Sequence, residues 1–301
     1  MARTPKRFLS FRATVFPSSL RGIYLREGCV ARAVILDCHI HLNAYEETKA
    51  SMEERIATLQ RVMAENGVDK AFILTSYLAN EARPRVDRVV EALRPHKNLF
   101  VVEGISLSGG APFDLAATEA RLAAKEVIGL KLYPGYEHYY PTDRLCEPVY
   151  ELAAKYDVPV MFHAGDTYTK KGKLKYAHPL HIDDVAVDHP DLRIVICHLG
   201  NPWLRDTAEL MYKNDNVRAD ISGLVLKGFE ANFERWLVEQ VRELIIYAGN
   251  PEDLLFGTDW PLVEMAPYLR FVRGLDLDPE HERMLMHDNA HRWFRLDERG
   301  S

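Results

Sequence analysis

The chain alternates between strand-like and helix-like segments eight times, and this repeat limits its fold more than any other feature. Apolar runs typical of strands cover residues 34–38, 70–76, 99–106, 128–133, 159–163, 193–198, 217–221 and 254–258. Helix-like segments lie near 51–66, 83–95, 114–125, 143–156, 182–189, 203–213, 229–249 and 279–294. Long alternation implies a parallel sheet, and eight units imply that the sheet closes on itself. We therefore predict an α/β fold, a single-domain (β/α)8 TIM barrel over residues 34–295.

An open, doubly wound sheet is the alternative architecture. That fold often has a glycine-rich fingerprint after its first strand, and none follows the first strand here. An open sheet would also leave the first and last strands far apart. A length of 301 residues, with 47% hydrophobic and 27% charged residues, suits a globular enzyme built on one barrel.

Net charge, apolar run length and cysteine spacing limit the classes of partner and the cellular compartment that fit this sequence. The formal charge of −6, without a basic stripe, disfavours nucleic acid. No apolar stretch reaches the length of a membrane span, so we predict no membrane association. The cysteines lack CxxC spacing, which indicates a reduced, cytoplasmic protein, and Cys38 and Cys197 are expected to be buried fillers pointing away from the histidines beside them. The expected partner is a small molecule, and a homo-oligomer is compatible with the sequence.

The two ends of the chain differ from its centre. In residues 1–33 no acidic residue precedes Glu27, whereas six basic residues do. Organellar transit peptides share this composition. We favour a poorly structured extension or a misassigned start, without a catalytic role. Residues 296–301 are expected to form a short tail.

Polar side chains end four of the predicted strands. His39 and His41 are one residue apart on the first strand, and strand side chains alternate, so both point to one side. His163, His198 and Asp259 end the fifth, sixth and eighth strands, each followed closely by Gly or Pro. In a barrel the carboxyl ends of all strands form one mouth, where active sites lie. We predict that these five side chains meet there.

Together these positions resemble the amidohydrolase superfamily, in its amidohydrolase-2 branch, over essentially the whole predicted barrel. The matching positions are Asp37, His39 and His41 for the Asp-x-His-x-His motif, His163, His198, and Asp259 in Gly-Thr-Asp-Trp-Pro. A closing Asn-Ala segment within 288–294 is similar to the family's last helix.

The resemblance implies a divalent metal held by His39, His41, His163 and Asp259. It further implies that the site activates a water, that Asp259 accepts the water's proton, and that His198 polarises the substrate or orients the nucleophile. Imidazole-rich ligation suits Zn²⁺ best, and Mn²⁺ is the alternative. One ion is favoured over two.

Lys131 lies in an otherwise apolar fourth strand, where a lysine is costly unless it is paired or modified. Some superfamily members carry a carboxylated lysine there that bridges two metals. With His163 and His198 nearby, a second metal site is chemically possible in this chain. The alternatives are a cation for a substrate carboxylate and a structural pair with an acid. We favour one metal, with Lys131 binding substrate or supporting the ligands. Tyr133, Tyr136 and Trp260 are expected to contact substrate.

Three functions follow as hypotheses. The main one is a metal-dependent hydrolase of a C–N or lactone C–O bond in a small, possibly anionic molecule. The second is a non-oxidative decarboxylase or lyase of a small carboxylic acid, which the same branch contains. The third is a barrel that binds a ligand without turnover, and the complete set of metal-competent residues argues against it.

Overall fold

The computed structural model describes residues 33–45, 50–108, 113–225, 230–249 and 251–298. Nearly all of the predicted N-terminal extension, and residues 299–301 of the predicted tail, lie outside these ranges. Within the described residues, no helix is both long and apolar enough to cross a bilayer.

Eight parallel strands form one sheet, and their spatial order is their order in the sequence. They are β1 (Leu36–Ile40), β2 (Lys70–Leu74), β3 (Leu99–Gly104), β4 (Gly129–Leu132), β5 (Val160–Phe162), β6 (Ile194–Ile196), β7 (Val217–Asp220) and β8 (Leu254–Leu255). Backbone bonds join β1 to the segment after β8: the Cys38 amide donates to Phe256 O at 2.8 Å, and the His41 amide to Trp260 O at 2.8 Å. The predicted (β/α)8 barrel is confirmed.

Helices separate the strands and cover the outside of the sheet. They are α1 (Met52–Asn66), α2 (Val86–Leu93), α3 (Leu115–Ala123), α4 (Glu147–Lys155), α5 (Leu180–Asp188), α6 (Leu204–Lys213), α7 (Ala231–Ala248), α8 (Met265–Arg273), α9 (Pro279–Arg283) and α10 (Asn289–Trp293). Helix α8 was not predicted from the sequence. Pro267 suggests a loop there, but proline is tolerated in the first turn of a helix, whose amides have no partner within the helix. The predicted helix 279–294 is interrupted by a π-helical turn at Met284–Asp288.

Apolar side chains form two clusters, one between sheet and helices and one inside the barrel. Alternation along the strands produces this division, because neighbouring residues face opposite sides. The inner cluster includes Leu36, Phe72, Leu255 and Phe294, with the rings of Phe72 and Phe294 4.6 Å apart. These residues fill the amino-terminal end of the barrel, so the polar strand ends collect at the opposite end.

The register of β1 shifts between Asp37 and Ile40. Leu36 and Cys38 both lie in the inner cluster, as a period of two requires, but beyond the shift Ile40 lies in the outer one. Cys197 also belongs to the inner cluster. The expectation that both cysteines are buried is confirmed, but strict alternation does not continue beyond them, because the irregularity in β1 and the end of β6 at Ile196 break the period of two.

Candidate active site at the barrel mouth

The five predicted side chains meet at the carboxyl end of the barrel. The His39 ring lies 5.3 Å from that of His41 and 4.9 Å from that of His198, between centroids. The rings of His163 and His198 are 5.1 Å apart. Asp259 Oδ1 lies 3.3 Å from His41 Nε2 and 3.8 Å from His39 Nε2. The residues come from four strand ends, as predicted from their order in the sequence.

The hydrogen bonds of His39 and His41 determine which ring nitrogen carries the proton. His41 Nδ1 lies 2.8 Å from Leu74 O, a carbonyl that can only accept. His39 Nδ1 lies 2.9 Å from the carboxylate oxygen Oδ2 of Asp220. In the neutral rings both Nδ1 atoms therefore donate, and each Nε2 presents a lone pair towards Asp259.

Three acceptor atoms thus face one another at the mouth. The ligand atoms of His39, His41 and Asp259 all lie within 4.8 Å of one another. Asp259 Oδ1 and His163 Nε2 are both buried without a hydrogen-bond partner. Unpaired buried acceptors are costly. A divalent cation would satisfy them, so the donor set fits the metal that the sequence resemblance implies.

A carboxylate that the sequence analysis missed orients two of the histidines. Asp220, at the end of β7 and fully buried, accepts from the His198 amide at 2.9 Å and from Ser222 Oγ at 2.5 Å, in addition to His39. Because the Ser222 hydroxyl gives its hydrogen to Asp220, it can only accept from His39 Nδ1 at 3.0 Å and His198 Nδ1 at 2.9 Å. The network directs Nε2 of both rings away from Asp220.

The same network explains the charge of Asp220. Burial alone would raise its pKa, but His39, His198 and Lys131 hold the pKa well below its usual range. His39, His198 and Asp220 also form a cluster with metal-ligand spacing. The facing atoms of this cluster are already joined by hydrogen bonds, so the cluster holds His39 and His198 in place. The acceptors without a partner belong to the other cluster, which contains Asp259.

Asp37 fastens the first strand to the chain beyond the last. Its Oδ1 accepts from the amides of His39 at 3.1 Å and Thr258 at 3.0 Å, and its Oδ2 accepts from Thr258 Oγ1 at 2.6 Å. Burial raises the pKa of Asp37 to about 7. The contact sets the position of His39 relative to Asp259, which follows Thr258 directly.

Backbone conformations that side chains rarely adopt occur at two of the predicted site residues. His198 has φ 59° in the turn Cys197–Gly200, and Asp259 has φ 69°. Such strain persists only where the surroundings over-determine it. Gly223, at φ 67°, leaves room beside both: a Cβ there would lie 3.0 Å from His198 Nδ1 and 3.1 Å from Asp259 Oδ2. His198 therefore lies in a turn after β6, not on the strand as predicted.

Burial favours the neutral form of His39, His163 and His198. It lowers the pKa of His39 to about 4, even though Asp220 acts in the opposite direction. It also lowers the pKa of His163, where nearby positive charge adds to the effect, and that of His198, where Asp259 and Asp220 act in the opposite direction. For Asp259, burial would raise the pKa, but the neighbouring histidines outweigh it and the pKa is lowered. Neutral imidazoles beside an ionised carboxylate are the state that binds a cation.

Lys131 is buried with 1% of its surface exposed. Its Nζ donates to Cys197 Sγ at 2.6 Å and lies 5.5 Å from the centroid of the Tyr133 ring. Burial raises the pKa of Cys197, which keeps it a thiol. The lysine thus points into the barrel, beneath the mouth.

Aromatic residues occupy the side of the mouth formed by the loops after β2 and β4. Tyr133 is buried, and its hydroxyl donates to Thr75 O at 2.6 Å. The Tyr136 ring lies 4.6 Å from that of His163. Trp260 is half-buried and packs against the outer cluster. Contact of these residues with substrate stays a prediction.

Solved structures of known proteins share this fold at low sequence identity. A putative 2-pyrone-4,6-dicarboxylic acid hydrolase from Pseudomonas putida is 17% identical, with a TM-score of 0.67 over 89% of this chain and 99% of that one. A 2,6-dihydroxybenzoate decarboxylase complexed with 2,6-dihydroxybenzoate is 16% identical, with a TM-score of 0.63 over 88% and 99%.

A third structure contains a metal. It is a 5-carboxyvanillate decarboxylase from Novosphingobium aromaticivorans complexed with manganese and 4-hydroxy-3-methoxy-5-nitrobenzoic acid, 13% identical, with a TM-score of 0.60 over 88% of this chain and 97% of that one. Among proteins of curated function, none matches the chain.

The amidohydrolase family model matches residues 36–296, which span all eight strands and every predicted metal-competent residue. The chain is therefore a member of the amidohydrolase family.

Proposed function

We propose that the protein is a metal-dependent hydrolase that cleaves a C–N or lactone C–O bond of a small molecule. One observation carries the proposal: Nε2 of His39, Nε2 of His41 and Oδ1 of Asp259 converge as acceptors with no proton to share. His163, whose Nε2 is also unpaired, is the fourth proposed ligand. A divalent metal held there would supply Lewis acidity and a water of lowered pKa.

Asp259 is the proposed proton carrier. Its Oδ1 faces the two histidines of β1, while its Oδ2 lies on the side of Gly223 and His198. The second oxygen is thus free to hold a proton and to pass it to the leaving group. His198, whose Nδ1 donates into the Ser222 network, presents Nε2 for binding or orienting the reacting carbonyl or water.

One metal ion is the proposed stoichiometry. The second cluster of metal-competent residues is already joined by hydrogen bonds around Asp220. Lys131 lies against Cys197, a position that suits a supporting cation. Zn²⁺ is the proposed ion because imidazoles dominate the ligands, and Mn²⁺ is the alternative because a structural neighbour contains it.

A non-oxidative decarboxylase is the second candidate. Two of the neighbouring structures are decarboxylases of aromatic acids, and tyrosines line one side of this mouth. The proposed ligands serve either reaction, so the products distinguish them. The ionised Asp259 favours hydrolysis, because it can take the proton that an attacking water must lose.

The test combines metal analysis with a panel of lactones, amides and aromatic acids. The purified protein should contain about one divalent ion per chain, and the double variant His39→Ala/His41→Ala should contain almost none. Hydrolysis of a lactone releases a proton, whereas decarboxylation releases CO₂ and consumes one. Full metal occupancy in the double variant would refute the site, and CO₂ release without lactone or amide cleavage would establish the decarboxylase.

A further inference from the structure

The loop after β2 holds an arginine in a fixed position near the mouth. The amide of Arg83 donates to Asn80 O at 3.1 Å and to Asn80 Oδ1 at 2.9 Å, and the Asn80 amide donates back to Arg83 O at 2.9 Å. Arg55 donates to the carbonyls of Glu81 at 3.1 Å and Ala82 at 3.2 Å. The backbone of Arg83 is therefore pinned from both sides of its turn.

Arg83 is half-buried, and its guanidinium makes no ion pair with any residue that the structure describes. Its neighbours are engaged: Arg55 donates to backbone carbonyls, and Arg85 pairs with Asp87 at 3.4 Å. Cζ of Arg83 lies 5.8 Å from the centroid of the Tyr45 ring. A half-buried cation without a counter-ion costs free energy, which an anionic ligand would recover.

Aromatic rings connect Arg83 to the histidines. Tyr45, beside Arg83, lies 6.4 Å from the His41 ring between centroids. Tyr77, whose pKa burial raises and Arg83 lowers, lies 4.9 Å from the Tyr133 ring and 5.9 Å from the Tyr136 ring. We call Tyr45, Tyr77, Tyr133 and Tyr136 the tyrosine rim. It offers aromatic surface between a fixed cation and the proposed metal ligands.

We infer that Arg83 binds a carboxylate of the substrate that does not react, while a flat, unsaturated body lies against the tyrosine rim. This assignment rests on the proposed function, because the reacting group must lie at the histidines. The substrate class is a planar acid with at least one carboxylate remote from the bond that breaks. Arg83 is preferred over Lys131 for this role because the lysine Nζ already contacts Cys197 beneath the mouth.

The test uses two probes that differ by one remote carboxylate, benzoate and isophthalate. Their affinities for the metal-loaded protein are measured by calorimetry. Wild type should bind isophthalate more tightly than benzoate, and Arg83→Met should remove about 10- to 100-fold of the isophthalate affinity, the effect of one charge-assisted pair. Benzoate affinity should not change. Arg83→Lys, which keeps the charge but not the planar fork, should fall between.

Arg85→Met is the matched control, because Arg85 lies two residues away and pairs with Asp87. It should leave both affinities as in wild type. Metal content and thermal unfolding of each variant are measured in parallel. Equal affinity of wild type for the two probes, or unchanged isophthalate binding in a folded Arg83→Met, would overturn the inference. A protein that binds no metal would refute the proposed function instead, so the two failures are distinguishable.

Discussion

The two sides of the barrel mouth use polar groups in opposite ways. On the side built from β1, β7 and β8, hydrogen bonds hold the proposed ligands from behind, with Asp220 accepting four and Asp37 three. The atoms left open there, among them Asp259 Oδ1, face the proposed metal. On the side built from β2, β4 and β5, His163 Nε2 is unpaired and the Arg83 guanidinium lacks a carboxylate among the described residues.

The difference separates two tasks that one site must perform. A metal centre needs ligands whose orientation does not change, and a saturated network supplies it. A substrate pocket needs polar groups that remain available until the ligand arrives, and unpaired cations and aromatic rings supply those. In the proposed function, the β1–β7–β8 side would carry three of the four metal ligands and the proton transfer, and the β2–β4–β5 side would carry the fourth ligand, His163, and substrate recognition.

The largest expected effect tests whether the β1–β7–β8 side performs the proton transfer. Asp259→Asn keeps the shape and one oxygen ligand but cannot accept a proton. Turnover should fall by roughly 10²–10⁴-fold while appreciable metal remains, measured as kcat beside metal content. Asp166→Asn, an exposed aspartate after β5, serves as the control. Activity near that of wild type in Asp259→Asn would place the proton carrier elsewhere.

The stability of the metal-free protein at acid pH tests whether His39, on the β1–β7–β8 side of the mouth, is held in its neutral form. The pKa of His39 is about 4 when folded and 6.5 when exposed, so between these values only the unfolded chain binds the proton. Stability should fall as the pH drops from about 6.5 to 4, by up to about 3 kcal/mol from this group.

His39→Asn isolates the contribution of that ring. It keeps an N–H donor towards Asp220 and cannot titrate. Denaturant unfolding in the presence of a chelator should show wild type losing more stability than the variant on acidification. A difference between the two proteins that does not change with pH would contradict the neutral state of His39.

A smaller effect is expected from the carboxylate behind the ligands. Asp220→Asn preserves shape but weakens the acceptor for His39 and His198. Metal affinity should fall by about 10- to 100-fold, as is typical when a ligand's supporting group is removed. The control is Asp253→Asn, a buried aspartate paired with Arg218 at 2.9 Å before β8 begins. Equal losses in both variants would indicate general destabilisation.

The smallest effect is expected on the other side of the mouth. Lys131→Met removes a cation that contacts Cys197 and should leave the metal stoichiometry unchanged, with any loss of activity appearing as a raised KM. Loss of half the metal, together with activity that depends on bicarbonate, would instead show a carboxylated lysine that bridges two ions.

Local patterns in the sequence predicted the strand order and the convergence of the histidines. Strand periodicity and the barrel topology suffice to bring His163 and Asp259 to one end. Asp220 was missed although it ends a strand too, because Arg218 and Asp220 read as ordinary alternation. Its role appears only through His39, which lies 181 residues away in the sequence.

Deviations from ideal strand geometry could not be predicted from the sequence either. The register shift in β1 puts Ile40 on the outer side although Leu36 and Cys38 lie on the inner one, and the left-handed turn at His198 aims a side chain that a continued strand would aim elsewhere. Both depend on tertiary contacts that override local preference, such as the bond from the His198 amide to Asp220. Functional sites are where such exceptions are expected.

The hydrogen bonds between Asp37 and Thr258 have a consequence for biosynthesis. The two residues are 221 positions apart, and they join the first strand of the barrel to emerge from the ribosome to the segment that follows the last strand. At roughly 5–20 residues per second, the early histidines wait tens of seconds for Asp259. Until Asp259 emerges, a nascent chain offers incoming metal imidazoles alone, so the complete proposed site forms only after the last strand of the barrel has been synthesised.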